Sequence, residues 1–74
     1  MNPIKKAREN AGLSYRKAAS QLGIGLTTLQ RWEAPDFRPK TLPLETLEAM
    51  AALYQVSIPQ LIGRAPLPNH DPAA

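Results

Sequence analysis

Residues 26–33 place side chains that can hydrogen-bond to nucleic-acid bases beside apolar side chains that can pack in a core. The guanidinium fork of Arg31 matches the O6 and N7 acceptors of guanine, a contact that discriminates between bases by about 1–3 kcal/mol. Gln30 carries an amide suited to adenine, and the hydroxyls of Thr27 and Thr28 can bond to bases or phosphates. This chemistry requires a helix that buries one face and presents the other.

Residues 14–33 predict two short helices, the first N-capped by Ser14, joined by a tight turn at Gly23. Apolar residues fall where two crossed helices would pack together: Ala18, Ala19, Leu22, Ile24, Leu29 and Trp32. The second of these helices begins near Gly25 and keeps its polar and cationic side chains free of that contact. The arrangement is typical of a helix-turn-helix, whose second helix enters a groove of the double helix.

A further helix is predicted from Pro3 to about Ala11, because Asn2 is a good N-cap and proline is tolerated at the first helical position. Its inner face is marked by Ile4, Ala7 and Ala11. Gly12 then provides a stop.

The second half of the chain predicts a proline-interrupted loop over residues 34–43 and then two more helices. The fourth covers about residues 44–54, with one apolar face formed by Leu44, Leu47, Met50, Ala51 and Tyr54. The fifth begins after the N-cap Ser57 and ends at Gly63. Residues 64–74 are rich in proline and poor in core-forming residues, which predicts a disordered tail after a domain of residues 1–63.

The composition excludes several other chemistries. The 74 residues fit one domain and include no cysteine, which excludes disulfides and cysteine-ligated zinc. The single histidine, His70, lies in the proline-rich tail, so neither a Ser-His-Asp site nor a histidine-based metal site is expected. The sequence has no glycine-rich phosphate loop and no membrane-length apolar run. We therefore expect a soluble, cytoplasmic protein that is not an enzyme and has no cofactor or membrane partner.

Positive charge is concentrated in the first part of the chain. Residues 1–40 contain eight Lys or Arg and three Asp or Glu, a net charge of +5, whereas residues 41–74 contain one Arg and three acids, a net charge of −2. The basic part contains the predicted helix-turn-helix. A cationic surface beside a groove-sized helix favours a polyanionic partner. The alternative is that these charges only keep a small domain soluble.

Five short strings, in chain order and at matching spacing, carry a resemblance to a known family. They are Arg8-x-x-x-Gly12-Leu13-Ser14, Leu22-Gly23-Ile24, Leu29-x-Arg31-Trp32-Glu33, Leu44-Glu45-Thr46-Leu47 and Val56-Ser57-Ile58-Pro59-Gln60-Leu61. Together they resemble the Cro/cI-type helix-turn-helix family of phage repressors and xenobiotic-response-element-like regulators. Three positions depart from its pattern: Tyr15 stands where glutamine is common, Gly25 where serine or threonine is usual, and Leu26 where a polar residue is usual.

The resemblance implies an all-α, five-helix Cro/cI repressor-like fold that binds a double-stranded DNA operator sequence-specifically. It also implies a small transcriptional regulator that acts as a homodimer, either a Cro-like phage or prophage repressor or an antitoxin-like autorepressor. The alternative is a helix-turn-helix fold reused as a protein–protein interaction module, with Tyr15 and Leu26 in an apolar contact.

The expected DNA contacts lie on the third helix and in the segments that flank it. The candidates for base contact are Leu26, Thr27, Thr28, Gln30 and Arg31. Leucine cannot hydrogen-bond to a base edge but can contact a thymine methyl group. The candidates for phosphate contact, which position a protein without selecting sequence, are Tyr15, Arg16, Lys17, Arg38 and Lys40. For each of these residues the alternative is an ordinary solvated surface position.

Two further groups are expected to be structural. By resemblance, Arg8 and Glu33 form a buried ion pair between the first helix and the end of the third, the alternative being two unrelated surface charges. The fifth helix and its flank carry more apolar side chains than a short helix needs for its own packing: Ile58, Leu61, Ile62 and Leu67. These residues predict a homodimer surface, and the alternative is that Ile58 and Leu61 only close the core of one chain.

Overall fold

The computed structural model describes residues 2–67 of the chain. Within that range it contains five α-helices, a single 3₁₀ turn and no strand. The helices are α1 (Pro3–Asn10), α2 (Tyr15–Leu22), α3 (Leu26–Trp32), α4 (Leu44–Tyr54) and α5 (Ile58–Leu61), and the 3₁₀ turn is Pro39–Thr41. The predicted all-α, five-helix fold with a helix-turn-helix at α2 and α3 is confirmed.

Side-chain caps fix where three of the helices begin. The Asn2 side chain accepts from the backbone N–H of Ile4 and that of Lys5, and the Ser14 hydroxyl accepts from Lys17 N–H. Ser57 and Gln60 form a reciprocal capping box at α5. Asn2, Ser14 and Ser57 are thus the N-caps that the sequence predicts for these three helices. α3 begins without a side-chain cap, because its N-cap residue is a glycine.

The turn between α2 and α3 depends on a left-handed residue. Gly23 has φ +69°, and its N–H donates to Ser20 O at 3.2 Å while Ile24 N–H donates to Ala19 O at 3.0 Å. A residue with a Cβ is strained in this backbone region, which explains the glycine. This geometry closes α2 and returns the chain so that α3 packs across α2.

One core holds the five helices together, and residues from every helix contribute to it. Its buried apolar members are Ile4, Ala7, Ala18, Ala19, Leu29, Leu47, Met50, Tyr54 and Leu61. The side chains of Leu22, Ile24 and Trp32 are partly buried against this core. α2 packs against α3 and α4, and α5 packs against α1 and α4. α3 and α5 therefore pack on largely different neighbours.

Two apolar residues predicted to face the core do not. Ala11 is exposed because α1 ends at Asn10, so Ala11 is the C-cap and lies past the last inward turn. Leu44 is 63% exposed because it is the first residue of α4 and lies at the edge of the packed region. Both errors arise at helix ends, where periodicity no longer dictates which way a side chain points.

The chain continues in contact with the core after the predicted boundary at Gly63. Arg64 N–H donates to Pro59 O at 2.8 Å, and the Gln60 side-chain amide donates to Pro66 O at 2.9 Å. Leu67 packs against the core cluster. Residues 68–74, including His70 and the rest of the predicted disordered tail, lie outside the described residues.

Candidate nucleic-acid interface

The seven residues of α3 divide into an inner and an outer face. Leu29 is fully buried and Trp32 is half-buried against the core. At about 100° per residue, Leu26, Gln30, Thr27 and Arg31 occupy an arc of roughly 140° on the opposite side. All four of these side chains are exposed, whereas Thr28 lies nearer the core and is half-buried. The fold thus uses one face of α3 and leaves the other to solvent.

The five predicted phosphate contacts are not equivalent in the structure. Arg16 and Lys17 are exposed in the first turn of α2, and Arg38 and Lys40 are exposed in the loop between α3 and α4. Tyr15 is half-buried, and its ring lies under the Arg8 guanidinium, with Cζ 4.0 Å from the ring centroid. Tyr15 therefore has a structural contact for which the sequence carries no local signal.

Arg8 and Glu33 are in contact inside the domain. Arg8 Nε donates to Glu33 Oε2 at 2.8 Å, and the two side chains are 7% and 1% exposed. Arg8 Nη1 also donates to Leu13 O at 2.7 Å. Burial alone would lower the pKa of the Arg8 guanidinium. The hydrogen bond and charge of Glu33, together with smaller effects of Tyr15 and Glu9, outweigh it, so the pKa lies above the ordinary value. This cluster joins α1, the turn before α2 and the end of α3.

A second link to the end of α3 comes from Asn2. Its side-chain amide donates to Trp32 O at 2.9 Å and to Ala34 O at 2.8 Å. The sequence identifies Asn2 as an N-cap, but carbonyl partners 30 and 32 residues away have no local signal. Asn2 and Arg8 together hold the C-terminal end of α3, so the direction of its exposed face is set by the rest of the fold.

The loop between α3 and α4 is also attached to the core. Pro39 is buried, and Phe37 and Leu42 pack partly buried against the core cluster. The Thr41 hydroxyl donates to Arg38 O at 2.7 Å across the 3₁₀ turn. The prolines predict this loop from the sequence, but its apolar anchors to the core carry no local sequence signal. These anchors hold Arg38 and Lys40 on a structured loop next to α3 in the chain.

Tyr54 is a buried titratable group in the core. Desolvation, followed by the negative charge of Glu33, raises the pKa of the Tyr54 hydroxyl to about 12, against a smaller opposing effect of Arg8. The hydroxyl has no hydrogen-bond partner among the described residues, and neither does Glu33 Oε1. An unfolded tyrosine titrates near pH 10, so the unfolded chain ionises first as the pH rises.

We expect the domain to lose stability between about pH 10 and pH 12, up to about 3 kcal/mol from Tyr54 alone. The contribution is fully present below pH 10 and lost as the pH approaches the folded-state pKa. Urea unfolding of the wild type and Tyr54→Phe at successive pH values measures it, because the phenylalanine variant lacks this loss. Tyr15→Phe is the control and should retain it. Identical pH dependence in the wild type and Tyr54→Phe would contradict the assignment.

The residues predicted to form a dimer surface on α5 and its flank differ in how deeply they are buried. Leu61 is fully buried in the core of its own chain and has no surface left for a second copy. Ile58, Ile62 and Leu67 are half-buried and keep part of their apolar surface exposed. Leu61 thus matches the alternative interpretation, in which it closes the core of one chain.

The described part of the chain holds neither a metal cluster nor a membrane-spanning helix. Between residues 2 and 67, no three His, Cys, Asp or Glu side chains are grouped so as to hold a metal ion. None of the helices described is both long and apolar enough to cross a membrane.

The fold and the exposed face of α3 define a helix-turn-helix domain, and comparison with known proteins agrees with this class. A family model described as helix-turn-helix matches residues 4–61. The HTH-type transcriptional regulator ImmR of Bacillus subtilis (strain 168) is 36% identical over 61 residues, which are 82% of this chain and 46% of that relative. The chain belongs to the Cro/cI-type helix-turn-helix family of transcriptional regulators.

The predicted family resemblance is therefore confirmed. The chain spans less than half the length of the relative that it matches, and no solved structure shows a significant match.

Proposed function

We propose that this protein binds double-stranded DNA sequence-specifically and acts as a small transcriptional repressor. The observation that carries the proposal is the division of α3: Leu29 is fully buried, whereas Arg31, Gln30 and Thr27 are exposed on the opposite face. These three polar side chains have no role in the core. Their donors and acceptors match those on the base edges of the major groove.

The cations around α3 support a DNA partner. Arg16, Lys17, Arg38 and Lys40 are all exposed, in the helix before α3 and in the loop after it. They belong to the part of the chain with a net charge of +5. Phosphate contacts of this kind orient a protein on the duplex, and contacts to base edges then select the sequence.

The same face of α3 is a poor match for the alternative, a protein-interaction module. Its outer arc carries one apolar side chain, Leu26, and three polar ones, including the cation of Arg31. The centre of a protein–protein interface is depleted in charged residues and enriched in aromatic residues. Tyr15, the aromatic residue assigned to such a contact, already packs against Arg8.

Substitutions should separate sequence recognition from phosphate contact. Arg31→Ala is expected to weaken binding by about 1–3 kcal/mol and to relax the preference at one base pair in each half-site. Lys40→Ala or Arg38→Ala should weaken binding to all duplexes similarly. Competition binding with a set of single-base operator variants measures both effects. An unchanged base preference in Arg31→Ala would show that Arg31 does not contact bases.

We further propose that the protein binds as a homodimer through the exposed parts of Ile58, Ile62 and Leu67. α5 packs on α1 and α4, whereas α3 packs on α2, so a contact through α5 leaves the outer face of α3 accessible. In a symmetric dimer, two recognition helices about 34 Å apart meet successive major-groove turns. Residues 41–74 carry a net charge of −2, so pairing them brings little cationic repulsion.

Sedimentation equilibrium at micromolar concentration should detect the dimer, and Ile62→Ser should weaken it. Leu44→Ser is the matched control, because Leu44 is exposed at the start of α4 and is not part of the proposed surface. A strict monomer that binds one half-site as tightly as a palindrome would contradict the dimer and leave the DNA-binding proposal intact.

A further inference from the structure

Leu26 is an exposed apolar residue that the fold does not explain. Leu26 and Leu44 are the two large hydrophobic residues left exposed in the part of the chain that the structure describes, at 36% and 63%. Leu26 lies on the same arc of α3 as Gln30, Thr27 and Arg31. It is therefore the one apolar group on a face whose other side chains are polar.

The N-cap before Leu26 is also not explained by the fold. Gly25 has φ −73°, a conformation open to any residue, and a Cβ there would meet Thr28 Oγ1 at 3.8 Å, an ordinary contact. Neither backbone strain nor packing within the chain requires a glycine. A residue without a side chain lets the backbone approach a neighbouring molecule closely. Gly25 thus leaves the approach to Leu26 unobstructed.

We propose that Leu26 recognises the C5-methyl group of a thymine in the major groove, an inference that rests on the proposed DNA binding. A leucine side chain has no hydrogen-bond donor or acceptor, so it cannot distinguish bases by the donors and acceptors on their edges. The thymine methyl is the apolar group that the major groove presents. The N-terminal residues of a recognition helix are those that contact base edges, and Leu26 is the first residue of α3.

The position of Leu26 relative to Arg31 also predicts where that thymine lies. The two residues are five positions apart, which is about 7.5 Å along a helix axis. Base pairs are about 3.4 Å apart along the duplex. With α3 lying along the groove, the thymine is expected about two base pairs from the base pair that Arg31 contacts.

The experiment replaces thymine by uracil, which removes only the methyl group. A preferred operator is first selected from random duplexes with the intact protein, and each of its thymines is then replaced in turn. The wild type should bind about fourfold more weakly for each half-site in which the contacted thymine is replaced, the expected effect of removing one buried methyl. Leu26→Ala should show no loss at that position, and circular dichroism checks that the variant is folded.

Leu44→Ala is the matched control, since it shortens the other exposed leucine and should keep the full uracil penalty. Operator binding that is insensitive to uracil at every thymine would overturn the thymine contact while leaving the proposed function standing. The same follows if Leu26→Ala keeps the wild-type penalty. A selection that returns no enriched sequence would overturn both.

Discussion

Glu33→Gln is expected to lower the free energy of unfolding by about 3–5 kcal/mol, because it leaves Arg8 as a buried cation without its counterion. The two side chains meet at 2.8 Å and are 7% and 1% exposed, so water cannot replace the missing partner. A domain of this size has a total stability of about 5 kcal/mol or somewhat more. Much of the Glu33→Gln population should therefore be unfolded at room temperature.

Thermal and urea unfolding of Glu33→Gln and Glu48→Gln provide the comparison. Glu48 is exposed on α4, so its neutralisation should change the stability little. The double variant Arg8→Met/Glu33→Met should recover part of the stability, because it removes both buried charges together. A melting temperature for Glu33→Gln equal to that of Glu48→Gln would contradict the structural role of the pair.

The affinity for operator DNA is expected to fall about 10³–10⁵-fold between 50 and 200 mM salt, if a dimer contacts about 6–10 phosphates. Each copy offers four exposed cations for phosphate contact, on α2 and in the loop after α3: Arg16, Lys17, Arg38 and Lys40. Two copies can thus supply contacts in that range. Arg8 does not contribute, because it is buried against Glu33.

Fluorescence anisotropy with a labelled operator at several salt concentrations measures the slope of log affinity against log salt. Lys17→Ala should reduce that slope by about one for each phosphate that the variant no longer neutralises. An affinity that hardly changes with salt would show that these cations do not contact phosphates.

The parts of the fold that local chemistry controls could be predicted from the sequence. Asn2, Ser14 and Ser57 are short polar residues at helix starts, and each accepts the backbone hydrogen bond expected of a cap. Gly23 has the left-handed backbone that ends α2. Burial of Leu29 opposite an exposed Arg31 follows from helical periodicity alone.

Features that depend on distant parts of the chain could not be predicted in this way. The amide of Asn2 reaches the end of α3, and the ring of Tyr15 packs under Arg8; both contacts require the assembled helices. α4 ends at Tyr54, and its C-cap Gln55 adopts a left-handed φ of 56° although it is not a glycine. Leu61 offered no local signal to distinguish burial in its own chain from contact with a second copy.

In the candidate site, too, some features follow from local sequence and others depend on distant parts of the chain. The composition of α3 identified the polar side chains that face outward, since helical spacing determines the face on which each lies. The loop that carries Arg38 and Lys40 is attached to the core through Phe37, Pro39 and Leu42, whose packing is a tertiary property. The chemistry of the site can therefore be predicted from the sequence, whereas the scaffold that holds it depends on the fold.

Selection from a library of random DNA duplexes with the intact protein tests whether it binds double-stranded DNA sequence-specifically. We predict an enriched motif of two inverted half-sites whose centres are about one helical turn apart, near 34 Å, on one face of the duplex. The wild type should still enrich this motif at moderate salt. The motif selected by Arg31→Ala should lack the preference at one base pair in each half-site. Weak binding at low salt to all duplexes alike, with no enriched motif, would contradict sequence-specific binding.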